Sequence, residues 1–206
     1  QLEDHVILCG FGRIGQNLAK FLRDEGLEYV ALDLDPLRIR EARDAGERVF
    51  FGDSTHRELL EAAGLDRARA LVITFDDYHA TMKILARVRQ VHPDLPILVR
   101  TRDDSYMEQL TQAGATEVLP ESLEASLMLA TELLLSLDVP TGEVMRLLEN
   151  ARASGYRQLR GVFASTEPAE LERGPSARLH SVILTEDAFG VGKSLAELGL
   201  ANGDVD

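Results

Sequence analysis

Six short apolar runs alternate with stretches of helical period along the first 120 residues. VILC, YVALD, RVFF, ALVIT, ILVRT and EVLP mark the strands, and residues 13–25, 36–45, 55–63, 78–91 and 104–113 the helices between them. Strict alternation of this kind predicts right-handed βαβ crossovers, and hence an α/β fold whose parallel sheet is covered by helices on both faces. The punctuation agrees. Asp35-Pro36 starts a helix with proline in its first turn, Gly46 and Gly114 stand where helices stop, and His92-Pro93-Asp94 ends another.

Gly10, Gly12 and Gly15 form G-x-G-x-x-G directly after the first strand run and directly before the first helical run. In that context Gly10 permits the tight turn, Gly12 lets a phosphate approach the backbone, and Gly15 lets helix and strand pack closely. The helix N-terminus then offers free N–H groups and a partial positive charge. The second strand run, ALDLDP, brings Asp33 eighteen positions after Gly15, where a carboxylate accepts hydrogen bonds from a ribose diol and repels a 2′-phosphate. Asp35 reads as the cap of the helix that Pro36 opens. The expected fold is thus Rossmann-like and doubly wound, with six parallel strands.

Ligands of such sheets bind beyond the carboxyl ends of the strands. Those ends read GDST (Gly52 to Thr55), TFDD (Thr74 to Asp77), RTRD (Arg100 to Asp103) and PES (Pro120 to Ser122). Gly52 and Asp53 are placed to border an adenine, and Thr74 and Phe75 a ribose or pyrophosphate. Arg13, inside the glycine loop, and Arg100 supply positive charge for phosphates; surface salt bridges are the alternative role for each.

Past Pro120 the pattern changes. ESLEASLMLATELLLSL is an unusually apolar helix in which Leu123, Leu127, Ala130, Leu134 and Leu137 form one stripe, broadened by Met128, Leu133 and Leu135. It either caps the sheet or forms a subunit interface, and so wide an apolar stripe favours the interface. Pro140 breaks it, and TGEVMRLLENARASG reads as a second short helix with Thr141 as its cap. The expected organisation is a nucleotide-binding domain over 1–120, crossover helices over 121–153, a linker over 154–178, and a truncated C-terminal fragment over 179–206. The chain opens at Gln1 almost directly in a strand run, as expected of a piece excised from something longer.

Other features mainly exclude. A formal charge of −13 opposes nucleic-acid binding, so any anion site must be local. The single cysteine, Cys9, lies inside a strand run and reads as a buried, inert thiol. No segment reaches the length of a membrane span. His56, His79 and His92 fall on helices or their ends without a nucleophile partner, no Cys/His metal cluster exists, and no second region offers the acid–base group a nicotinamide dehydrogenase needs. GVGKS, residues 190–194, mimics a phosphate loop, but the position five before Gly192 is Asp187, so the match fails.

Taken in order, HVILCGFGRIGQNLAKFL, ALDLDP, FGDST, LEAAGLDRARALVITFDD, AGATEVLPESLEASLMLA and LLLSLDVP resemble the cytosolic domain called RCK, or TrkA-N. The likeness is greatest to the version fused to bacterial monovalent cation:proton antiporters of the Kef type. It runs over residues 4–163, including YRQLRGVF, and RLHSVILTEDAFGVGKSLAELGL resembles the opening of the smaller RCK-C module. The resemblance implies a domain that pairs with a second copy through the helices of 121–153 and hangs from a membrane transporter region N-terminal in the same chain. It implies a place on the cytoplasmic face of the bacterial inner membrane and binding of an adenine nucleotide, NAD(H), AMP, ADP or ATP, that is sensed and not consumed. By the same carry-over Gly10, Gly12, Arg13 and Gly15 hold phosphate, Asp33 holds ribose, Asp53, Thr74 and Arg100 line the site, and Glu121 approaches it or the neighbouring subunit. Glutathione-gated members carry a basic segment where this chain has AGATEVLPES, a departure that puts glutathione control in doubt.

The expected cofactor-binding set is Gly10, Phe11, Gly12, Arg13, Ile14, Gly15, Asp33, Leu34, Asp53, Ser54, Thr74, Phe75, Arg100 and Glu121, with no catalytic residue and no metal ligand. The leading reading is a regulatory domain gating a potassium or sodium/proton antiporter. Two alternatives keep the nucleotide site: an NAD-dependent oxidoreductase that has lost its substrate domain, and a stand-alone subunit of a potassium uptake system.

Overall fold

The structure, a computed structural model, describes residues 2–157 and 159. In chain order the elements are β1 (His5–Cys9), α1 (Arg13–Asp24), β2 (Tyr29–Asp33), α2 (Pro36–Asp44), β3 (Val49–Phe51), α3 (Arg57–Ala62), β4 (Ala68–Ile73), α4 (Tyr78–Val91), β5 (Ile97–Thr101), α5 (Met107–Gln112), β6 (Glu117–Pro120), α6 (Glu121–Ser136) and α7 (Thr141–Ala153). The six strands form one sheet in the order β3-β2-β1-β4-β5-β6, and every neighbouring pair is parallel. Strand order reverses between β1 and β4, and the crevice that opens there is where such sheets take ligands.

β1 is buried throughout because it packs helices on both faces. Ile7 and Cys9 enter a core layer with Leu71, Ile73, Ile84, Leu85 and Ile97, while Val6 and Leu8 enter the opposite layer with Phe11, Ala31, Ile39 and Val49. That is the period-2 alternation of a strand, with both sides apolar. Cys9 is fully buried, and burial pushes its thiol up to about 12, against a smaller opposing effect from Ser54. It is the inert thiol expected.

Several boundaries differ from expectation for local reasons. The helix expected from residue 104 starts at Met107, since the Asp103 carboxylate takes the N–H of Ser105 at 3.0 Å and the Thr101 hydroxyl donates to the Asp103 carbonyl at 2.7 Å. Likewise the Asp53 carboxylate takes the N–H of Thr55 at 2.8 Å, which delays α3 to Arg57. Such aspartate turns compete with helix initiation. A 3₁₀ turn over Leu65–Arg67, unforeseen, precedes β4. Asp35 caps α2 as expected, accepting from Leu37 and Arg38 N–H groups. Thr141 does not cap α7: it is the first helical residue, Pro140 holds the cap position, and no side chain caps the helix.

α6 and α7 lie against each other beside β6. The Glu124 carboxylate accepts from Arg152 Nε at 3.0 Å and Nη2 at 2.6 Å and from the Tyr156 hydroxyl at 2.5 Å, joining both helices to the turn that follows. Tyr156, within the stretch expected to be a linker, is buried. The apolar stripe of α6 divides: Leu127 is buried and Leu123 packs on the core, whereas Met128, Leu129, Leu133 and Leu137 on α6 and its end, with Met145 and Leu147 on α7, are exposed. No described helix is long and apolar enough to cross a membrane. GVGKS, RLHSVILT and the expected 179–206 module lie outside the described residues.

Candidate functional site

A crevice of about 860 Å³ opens at the carboxyl ends of β1, β2, β4 and β5. The three glycines of the loop at its floor differ in what constrains them. Gly10 has φ +99°, and a Cβ there would lie 2.7 Å from Thr74 Oγ1; a Cβ on Gly15 would lie 2.4 Å from the Gly10 carbonyl oxygen. Both glycines are therefore required by the fold itself. Gly12 is different. It has no atom within 4 Å of where a Cβ would stand, and it lines the crevice as the N-cap of α1, without any side-chain cap.

Five carboxylates and three arginines line the crevice. Asp53 is turned to the Thr55 N–H and His56, Asp76 to the backbone and guanidinium of Arg102, and Asp77 to the Ala80 N–H as cap of α4. Glu121 is ion-paired with Arg100, whose Nε is buried without a hydrogen-bond partner among the described residues. Asp33 accepts from the N–H of Phe11 at 2.5 Å, from the N–H of Asp35 at 2.8 Å and from Arg38. Arg13 is exposed and makes no hydrogen bond or ion pair among the described residues. With each acid turned to its own partner, the free field at the glycine loop is that of Arg13 and the helix N-terminus.

Burial alone would raise the Asp33 carboxyl, but the N–H groups of Asp35 and Phe11 and the Arg38 guanidinium outweigh it and hold it below the ordinary 3.8. A carboxyl lowered by folding stabilises the native state above its unfolded value and loses that contribution as pH falls through the folded one. The denaturation midpoint should therefore drop as pH is taken below about 4. Asp33→Asn, less stable at neutral pH, should drop less over the same interval. Circular dichroism melts across the acid range check this.

Of the fourteen residues expected at the site, twelve line the crevice: Gly10, Gly12, Arg13, Ile14, Asp33, Leu34, Asp53, Ser54, Thr74, Phe75, Arg100 and Glu121. Two do not. Phe11 is buried and stacks on Tyr29 with ring centroids 6.4 Å apart, so only its N–H serves the site, through Asp33. Gly15 is packed beneath the loop against Gly10. Thr74 borders the crevice, but its hydroxyl donates to the carbonyls of Cys9 and Gly10 at 3.1 and 2.9 Å and braces the loop. The structure adds Asn17, Leu32, Arg38 and Ala80, and brings in Gly52, Thr55, Asp76 and Asp77 from the expected strand ends. Asn17 was legible as the residue one turn after Arg13 on the same helix face.

The TrkA-N domain model matches residues 6–121, more than half of the chain. This chain belongs to the TrkA-N family. Two solved structures share its fold. The TrkA-N domain of the inner membrane protein ybaL from Escherichia coli superposes with a TM-score of 0.60 at 28% identity, covering 65% of this chain and 98% of that one. The Kef C-terminal domain of Shewanella denitrificans, in its AMP-bound form, does so at 0.61 and 29%, covering 76% of this chain and 99% of that one. Among sequences, a protein of Alkalimonas amylolytica that carries the name of the K⁺ efflux antiporter KefB is 44% identical over 200 residues, 97% of this chain and 30% of that protein. Chloroplastic K⁺ efflux antiporter 2 of Arabidopsis thaliana is 37% identical over 158 residues, 77% of this chain and 14% of that protein. The TrkA-N chain thus spans less than a third of the length of these curated relatives.

Proposed function

We propose that this chain is the cytoplasmic, nucleotide-sensing regulatory domain of a Kef-type potassium (or sodium)/proton antiporter, whose membrane region lies N-terminal in the same polypeptide. The observation that carries the reading is the crevice floor: Gly12 has open space where a side chain would stand, and Arg100, whose Nε is buried without a hydrogen-bond partner among the described residues, lines the same crevice. An adenine nucleotide, NAD(H), AMP, ADP or ATP, fits this donor set. Its phosphates lie over the N-terminus of α1 with Arg13 and Arg100, its ribose at Asp33, and its base beside Leu34, Gly52 and Asp53. The AMP-bound Kef domain of S. denitrificans and the K⁺ efflux antiporters among the relatives support the assignment.

The nucleotide acts as a signal and not as a substrate. Among the described residues, the crevice lining includes no His, Lys, Tyr or Cys to serve as the acid–base or nucleophilic group of a dehydrogenase. Residues 1–120 form the sensing domain and residues 121–153 the helices through which two copies pair. Glu121, the first residue of α6, is tied to Arg100 at the phosphate end of the crevice. Occupancy there biases the orientation of α6 and, through the paired helices, the attached transporter.

Calorimetric titration of the chain with AMP, ADP, ATP and NAD, alongside mass spectrometry of the unreacted ligand, tests the reading. Micromolar or weaker binding without turnover is expected, and Arg13→Ala should weaken phosphate-bearing ligands about tenfold or more. If none of the four binds at millimolar concentration, the sensing role is wrong; conversion of NAD would instead return the oxidoreductase.

A further inference from the structure

Arg38, absent from the residues expected at the site, stands against the carboxylate that would hold a ribose. Its Nη1 donates to Asp33 Oδ1 at 2.8 Å and to Oδ2 at 2.9 Å, and its Nη2 lies 3.2 Å from Asp35 Oδ2. A carboxylate offers about four acceptor directions, two on each oxygen. All four are taken at Asp33: Oδ1 by the Asp35 N–H and Arg38, Oδ2 by the Phe11 N–H and Arg38. The carboxylate is 7% exposed, so no further face of it is open to a ligand.

The two backbone donors cannot leave, since one belongs to the glycine loop and the other to the start of α2. Arg38 can. Its side chain is 36% exposed, it lines the crevice together with Asp33, and it stands in the first turn of α2, where the helix field favours an acid over a cation. Within the helix that charge is met by the exposed carboxylate of the Asp35 cap, at 3.2 Å.

We propose that Arg38 is a built-in competitor for the ribose diol and thereby a specificity-determining residue of this site. The inference rests on the nucleotide-binding reading given above. A ribose gains the Asp33 carboxylate only by displacing Arg38, so binding is reduced by the fraction of molecules in which Arg38 holds Asp33. The two hydroxyls then replace bonds already present instead of adding new ones. The site consequently discriminates weakly between ribose and deoxyribose, and its grip is set by phosphate and base.

The test uses the 206-residue chain with AMP and 2′-deoxy-AMP as probes, in the wild type and in Arg38→Met, which keeps the apolar stem and removes the guanidinium. In the wild type the two ligands should bind within about threefold of one another; in Arg38→Met, AMP should tighten about tenfold while 2′-deoxy-AMP changes little. Arg38→Lys, which cannot span both oxygens in the same way, should give an intermediate preference and serves if the methionine variant does not fold. Loss of AMP affinity in Arg38→Met, or an unchanged AMP to 2′-deoxy-AMP ratio in the folded variant, overturns the competition and leaves the nucleotide-binding reading standing. Failure of either ligand to bind any of the three proteins overturns both.

Discussion

Gly15→Ala is expected to destabilise the domain by about 3 kcal/mol, the upper end of what overpacking costs. The added Cβ would meet the Gly10 carbonyl oxygen at 2.4 Å, and that oxygen cannot retreat. It belongs to a residue with φ +99° whose N–H donates to the Leu32 carbonyl at 2.8 Å and whose carbonyl accepts the Thr74 hydroxyl at 2.9 Å. The whole strand–loop–helix junction would have to open. Gly12→Ser offers the contrast. Open space surrounds that position and serine caps helices well, so stability should change by less than about 0.5 kcal/mol. Nucleotide affinity should nevertheless fall about tenfold or more, because the new side chain occupies the space above the helix N-terminus. Chemical denaturation and calorimetry on the two variants separate a glycine the fold requires from one the ligand requires. Equal stability losses in both would remove the distinction.

The second large effect concerns assembly. Met128, Leu129, Leu133 and Leu137 stand 59–73% exposed on one helix and its end, next to Met145 and Leu147 at about half exposure on α7. An exposed apolar surface of that kind marks a contact, and the chain should sediment as a dimer at micromolar concentration. Leu129→Glu combined with Leu133→Glu should make it monomeric. At about 1.5 kcal/mol per buried leucine and four such leucines in a symmetric dimer, roughly 6 kcal/mol is at stake. Even if half of that is offset by ordering at the interface, about two decades in dissociation constant remain. The substituted residues face away from the core, so the melting temperature of the monomer should be close to that of the wild type chain at high dilution. A double variant that still sediments as a dimer moves the interface elsewhere.

The two experiments bear on the proposed switch together. Arg100 and Glu121 tie the end of β5 to the first residue of α6, so a phosphate that draws on Arg100 acts on the helix that carries the exposed leucines. The Arg100 guanidinium, chiefly through its hydrogen bond, holds the Glu121 carboxylate below its ordinary value, and the same bond raises Arg100. Both groups therefore stay ionised at neutral pH, and an incoming phosphate meets a competing anion already in place. Under the proposed nucleotide-sensing function, such competition would make the site responsive to the number of negative charges the ligand carries.

The alternation of apolar runs and helical segments determined the class of fold, since residues 5–120 could bury those strands only in a parallel sheet covered on both faces. G-x-G-x-x-G determined where the crevice would open, and Asp33 at the end of β2 determined one of its walls. Local rules of this kind act within a few residues or a single βαβ unit, which is why they can be read along the chain. Only the tertiary structure decided what each charged group faces. It turned Asp53 and Asp77 toward neighbours on their own loops and Asp76 toward Arg102 beyond β5, left Arg13 without a hydrogen bond or ion pair among the described residues, and closed Arg38 over both oxygens of Asp33. It also separated the three glycines, two held by contacts with Thr74 and with Gly10 itself, and one facing open space. The same folding divided the leucines of α6 between core and surface. The physical reason is that a periodic pattern specifies which side of an element is apolar, whereas the partner of a charged side chain depends on distances between elements that the pattern does not contain.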